Sequence, residues 1–148
     1  MATRNPIALI LCTGNSCRSQ MAEGFLRHYQ GGRFEAHSAG TDPKGAVHPL
    51  AVRVMGEIGI DITEHFPKPL TKFLGREAVR HLIIVCDNAF STCPRVWPGS
   101  FTRDYLPFED PAEFVGPEDQ ALAKFRHVRD QIGEAMRAWS PQPEKAHA

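Results

Sequence analysis

Two short, unbroken apolar runs stand out along the chain: Ile7-Ala8-Leu9-Ile10-Leu11 and Leu82-Ile83-Ile84-Val85. Apolar runs of this length without alternation suit strands buried on both faces, as in a parallel sheet covered by helices. Each run ends at a cysteine, Cys12 and Cys86. Ala22, Phe25, Leu26 and Tyr29 recur at helical spacing, which predicts a helix with all four in the core, stopped by Gly31-Gly32. Over residues 33–38, Phe34, Ala36 and Ser38 alternate on one face and predict a second strand. Pro49 suits the first turn of a helix whose buried stripe would be Leu50, Val54 and Ile58, with Gly59 as terminator. Pro67 and Pro69 forbid a long helix over residues 61–73, and a short one is expected over 70–77. Residues 87–93 are expected to form a loop or short helix, 101–106 a last strand, and 107–111 a loop. Leu122, Phe125, Val128, Ile132, Met136 and Trp139 then predict a long helix over 117–139.

Strands alternating with helices imply an α/β fold: a central parallel sheet with helices on both faces. Ligands of such sheets sit beyond the carboxyl ends of the strands, which places Cys12 and Cys86 in one crevice. A length of 148 residues suits a single domain over 1–148, with 1–6 and 140–148 as tails. The formal net charge of +0 and a pI of about 7.1 point away from nucleic acid and membrane partners. No apolar run reaches transmembrane length and no signal peptide is visible before Ile7, so a cytoplasmic location is expected. Four cysteines are too sparse for a disulfide scaffold and read as reduced thiols: catalytic, redox or core.

The stretch after the first run reads Cys12-Thr13-Gly14-Asn15-Ser16-Cys17-Arg18-Ser19. A strand, a tight loop from Cys to Arg-Ser and a helix N-terminus make an oxyanion cradle. Loop N–H groups converge, the helix dipole adds positive potential, and the Arg18 guanidinium offers a planar fork. The same field is expected to lower the pKa of Cys12 and hold it as the nucleophilic thiolate. Cys86 and Cys93 form a Cys-x6-Cys pair, a spacing that matches neither a structural zinc site nor a Cys-x-x-Cys redox motif. No metal site is expected, since a zinc would have to gather His37, His48, His65 or His81 around scattered cysteines. Asp110-Pro111 follows an aromatic, Phe108, in the loop after the last expected strand.

Cys-x5-Arg-Ser after the first strand resembles the signature loop of the low-molecular-weight protein tyrosine phosphatases, and Ser38-Ala-Gly-Thr41 matches another of their segments. The longer string from Cys12 to Glu23, together with Cys86 and Cys93, is most similar to the thioredoxin-coupled arsenate reductases built on that fold. The resemblance covers residues 7–139. It implies a three-layer αβα architecture with a central four-stranded parallel sheet. It also implies reduction of arsenate, a phosphate-like oxyanion, to arsenite by a three-cysteine relay. Cys12 would be the nucleophile, Arg18 the oxyanion holder and Asp110 the general acid; Cys86 and then Cys93 would carry the disulfide to thioredoxin, with no metal or organic cofactor. Thr13, Gly14, Asn15, Ser16 and Cys17 would form the oxyanion loop, Ser19 would brace it and donate to Cys12, and Ser38 and His65 would support it. Cys17 matches a loop cysteine that can shield the nucleophile as a disulfide, or is a small loop filler.

One departure stands out. Some of these reductases bind potassium beside the loop through counterparts of Asn15, Glu23 and Ser38 and two further residues, whose places here hold Phe66 and Lys68. A lysine in place of a carboxylate argues against that ion and predicts that the Lys68 ammonium, or another group, replaces it. The competing reading is a phosphotyrosine-type hydrolase with Cys86 and Cys93 as bystanders or redox regulators. A non-enzymatic thiol sensor or anion-binding module would leave the Asp-Pro and Arg-Ser elements without purpose.

Overall fold

The computed structural model describes residues 4–86 and 102–141. Four strands, β1 (Ile7–Cys12), β2 (Glu35–Gly40), β3 (Val79–Ile84) and β4 (Thr102–Tyr105), form one sheet in the order β2-β1-β3-β4, every pair parallel. This is the expected four-stranded parallel sheet. β1 is central and all six of its residues are buried, as its unalternating apolar run requires. β3 begins earlier than its apolar run because Val79 already pairs with Ile7, leaving Arg80 and His81 half-buried.

Among the described residues three α-helices accompany the sheet: α1 (Arg18–Gln30), α2 (Pro49–Glu57) and α3 (Glu118–Ala138). α1 packs on β1 and β2, and α3 packs on α1 and α2. Along β2 the faces divide by alternation. Ser38 points to α1, where its hydroxyl donates to Glu23 at 2.7 Å, while the His37 ring lies 5.3 Å from that of Phe73 on the other face. Leu122, Phe125, Val128, Ile132, Met136 and Trp139 all turn inward from α3 and its end, as their spacing predicts. No helix among the described residues is long and apolar enough to cross a membrane.

Three expectations are corrected. Tyr29 is 45% exposed, its ring stacked 6.0 Å from Phe25 at the edge of α1 rather than within the core. The buried stripe of α2 is Ala51, Val54 and Met55; Leu50 is half-buried, and Ile58 is exposed because the helix ends at Glu57 and the 3.6-residue phase is lost there. The short helix over 70–77 shrinks to one 3-10 turn, Leu70–Lys72, because the next turn, closed by Arg76 and Glu77 N–H on Phe73 O, carries Gly75 at φ +74, which leaves the helical path. The residue 87–93 segment and most of the 140–148 tail lie outside the described residues.

Candidate active site

β1 delivers Cys12 to the carboxyl edge of the sheet, and α1 begins at Arg18, so the five intervening residues must turn tightly. The segment after β2 runs alongside that turn and satisfies its carbonyls. Thr41 N–H donates to Cys12 O (3.2 Å), Asp42 to Thr13 O (2.9 Å), Lys44 to Gly14 O (2.9 Å) and His48 to Ser16 O (2.9 Å). With the carbonyls engaged on the outside, the loop N–H groups are free to converge inward, and the α1 N-terminus carries no side-chain cap to compete with a ligand. Gly40 permits this close approach: a Cβ there would stand 2.5 Å from Thr13 O and 3.0 Å from the Asn15 Cβ.

Asn15 takes the left-handed conformation, φ 50, the only non-glycine to do so among the described residues. Four hydrogen bonds hold it there. Its Nδ2 donates to Ser19 Oγ (2.8 Å) and Ser38 Oγ (3.0 Å), its Oδ1 accepts from Lys68 N (2.8 Å), and its carbonyl accepts from Gln20 Nε2 (3.0 Å). Asn15, Ser19, Gln20 and Ser38 are wholly buried. His65 closes the network. Its Nε2 lies 3.1 Å from Arg27 Nη1, which can only donate, so Nδ1 carries the proton and donates to Gln20 Oε1 at 3.0 Å. Burial pushes the His65 pKa down, in keeping with a neutral ring.

Buried Glu23 anchors the far side. Ser38 Oγ donates to its Oε1, Arg27 Nη2 to its Oε2 at 3.0 Å, and Lys68 Nζ stands 3.7 Å from Oε1 while donating to Phe66 O at 3.0 Å. Burial lowers the Lys68 pKa and Glu23 opposes that shift. These residues do not fit potassium. The carboxylate is already faced by two cationic side chains, and the Asn15 Oδ1 that would ligate an ion is taken by the Lys68 backbone. The Lys68 ammonium stands beside the Glu23 carboxylate.

The mouth contrasts with this closed brace. Cys12, Thr13, Gly14, Ser16, Cys17, Arg18, Asp42, Lys44, Asp110 and Glu113 line a cavity of about 260 Å3. Arg18 Nη1 donates to Phe108 O (3.0 Å) and Nη2 lies 3.5 Å from Asp110 Oδ2, yet its buried Nε finds no acceptor among the described residues. Such an orphan is costly, and an oxyanion in the cavity would satisfy it. Asp110 Oδ1 accepts from Ala112 N at 3.0 Å, which opens a 3-10 turn, Pro111–Glu113, and fixes the carboxylate at the rim.

Cys86 joins Cys12 at the floor. Cys86 Sγ lies 3.4 Å from Oγ1 of Thr13, the residue next to Cys12, which brings the two thiols together. The expected lowering of the Cys12 pKa is corrected: the neighbouring Cys86 thiol and then burial push it up, against the pull of Arg18 and the Asn15 N–H. Burial, followed by the Asp110 charge, pushes Cys17 up to about 12, so it sits as a thiol.

The structure thus gathers Cys12, Thr13, Gly14, Ser16, Cys17, Arg18 and Asp110 around one cavity, with Cys86 buried beside Thr13 and Asn15, Ser19, Ser38 and His65 in the brace behind. Cys93 lies outside the described residues. Arg27, Asp42, Lys44 and Glu113 also belong to the site and carry no motif, and Gln20, within the Cys12 to Glu23 string, has no role assigned by it. Gln20 could have been suspected, as a polar residue one place beyond Arg-Ser in an otherwise buried helical turn.

A model of the low molecular weight phosphotyrosine protein phosphatase family matches residues 7–147. The chain is 40% identical over 134 residues to an arsenate reductase of Halalkalibacterium halodurans, covering 90% of this chain and 94% of that one. Among solved structures it is similar to an arsenate reductase in the phosphate-binding state, with TM-score 0.72, 32% identity and coverage of 88% and 93% of the two chains. It is also similar to a thioredoxin-dependent arsenate reductase of Corynebacterium glutamicum, with TM-score 0.61, 30% identity and coverage of 93% of this chain and 64% of that one.

Proposed function

This chain belongs to the low-molecular-weight phosphotyrosine protein phosphatase family, and within it we propose that it is an arsenate reductase. The observation that carries this reading is the second thiol beside the cradle, Cys86, whose sulfur lies 3.4 Å from Thr13 Oγ1 and next to Cys12. Hydrolysis needs one thiol and water; reduction needs a second thiol within reach of the first.

Arsenate enters the cavity with its oxygens on the loop N–H groups and the Arg18 guanidinium, including the orphaned Nε. The arriving dianion takes the Cys12 proton, and the sulfur attacks arsenic as Asp110 protonates the departing hydroxyl, which leaves as water. Cys86 then attacks Cys12 sulfur. The S–As bond breaks with its electron pair going to arsenic, so arsenic leaves as arsenite and a Cys12–Cys86 disulfide forms. Cys93 attacks Cys86, releasing Cys12 and forming a Cys86–Cys93 disulfide that thioredoxin reduces in the cytoplasm. The relay uses thiols alone, with no metal or organic cofactor.

The test is arsenate-dependent NADPH oxidation with thioredoxin and thioredoxin reductase, comparing wild type with Cys93→Ser. Turnover in wild type that is lost in the variant is expected. Brisk hydrolysis of an aryl phosphate with no arsenate turnover in either would instead make the chain a phosphatase.

A further inference from the structure

The segment that buttresses the oxyanion loop brings one charged side chain over it that the reaction above does not use. The Lys44 N–H is tied to Gly14 O at 2.9 Å, and its side chain lies across the face of Gly14. A Cβ on Gly14 would stand 3.1 Å from Lys44 Cγ and 3.2 Å from Cε. The absence of a side chain at Gly14 is therefore what lets the lysine lie down on the loop. Nζ is one bond beyond Cε, and Lys44 lines the same cavity as Cys12 and Arg18. It forms no ion pair with any carboxylate among the described residues, although most other cations close to the cradle do.

Charge balance shows why this matters. The cavity lining carries three carboxylates, Asp42, Asp110 and Glu113, against one guanidinium, Arg18, which already faces Asp110 at 3.5 Å. By this count Lys44 halves the net negative charge facing an incoming doubly negative oxyanion and sets a second positive charge directly at the loop. We propose that Lys44 is a substrate-binding residue, supplying the second cation that draws and holds a tetrahedral oxyanion dianion in the cradle. The proposal rests on reading the cavity as the arsenate site, but the binding it describes applies to any such dianion.

The experiment uses Lys44→Met, which keeps the methylenes over Gly14 and removes the charge, Lys44→Arg as the rescue, and Arg137→Gln as a charge loss remote from the cavity. Inorganic phosphate binding by calorimetry and arsenate KM and kcat are measured for each, with melting temperatures as the check on folding. Lys44→Met should raise the phosphate Kd and the arsenate KM in parallel by roughly five- to twenty-fold, the loss of one charge-assisted contact, with kcat nearly unchanged. Lys44→Arg should restore most of the loss, and Arg137→Gln should bind as wild type. Unchanged phosphate binding in Lys44→Met, an equal loss in Arg137→Gln, or a fall in kcat at constant KM would overturn the proposal. Weakened phosphate binding in a protein that never turns over arsenate would keep Lys44 as an oxyanion ligand and discard the reductase reading instead.

Discussion

The two sides of the oxyanion loop are built on opposite principles. Behind it, Asn15, Ser19, Gln20, Ser38, Glu23, His65 and Lys68 form a buried network in which donors and acceptors are matched. In front, among the described residues, Arg18 Nε has no acceptor and Lys44 has no counter-ion, and two thiols lie side by side. A satisfied network is rigid, because any movement leaves a buried polar group unpaired. An unsatisfied one awaits a ligand. The back thus holds Asn15 in its left-handed conformation, and that conformation presents the loop N–H groups to the front before substrate arrives.

Substitutions should separate the two sides, and the largest effect is expected from a pair of variants. Arg18→Lys, in front, removes the planar fork and should lower kcat/KM for arsenate by about 10²–10³-fold while the melting temperature holds. Asn15→Ala, behind, strands Ser19, Ser38 and the Lys68 N–H and keeps an unfavourable φ. It should cost about 2–4 kcal/mol of stability in denaturant unfolding as well as activity. Equal stability losses in the two variants would erase the distinction. A smaller effect concerns Lys68: turnover in potassium and in sodium should be alike, and a several-fold rise with potassium alone would refute the ammonium as the resident cation. The smallest is pH-dependent. Burial lowers the folded-state pKa of His65 below the ordinary 6.5, so its contribution is full above that value and is lost as pH falls beneath it. His48 and His81 are shifted the same way by burial. The melting temperature should therefore drop between about pH 7 and 5, and His65→Gln should make that drop shallower without abolishing it; an unchanged slope would remove His65 from the pH response.

Much of this molecule was legible in the chain. Apolar runs over residues 7–11 and 82–85 marked β1 and β3 because a strand covered on both faces has no polar alternative. The α3 stripe held to its last residue because one long helix keeps its phase. Tyr29 and Ile58 were misjudged for the converse reason: near a helix end, periodicity says which face a residue occupies but not whether anything covers it. Among site residues, those with fixed spacing within one loop were readable, whereas Lys44, Asp42 and Glu113 come from segments that carry no motif of their own.

Local sequence by itself determined the cradle, since strand, loop and helix N-terminus are consecutive and their chemistry follows from backbone geometry over a few residues. The family resemblance, rather than local pattern, singled out Lys68 as the odd cation beside that loop. Only the tertiary structure decided what the cradle's thiol experiences. The sheet order places β3 beside β1, so Cys86 reaches Cys12 and, with burial, raises the pKa that the loop and Arg18 alone were expected to lower. Local backbone geometry is short-ranged and therefore written in neighbouring residues. Desolvation and thiol–thiol contact depend on what the fold packs across the space between them, and neighbouring residues do not encode that.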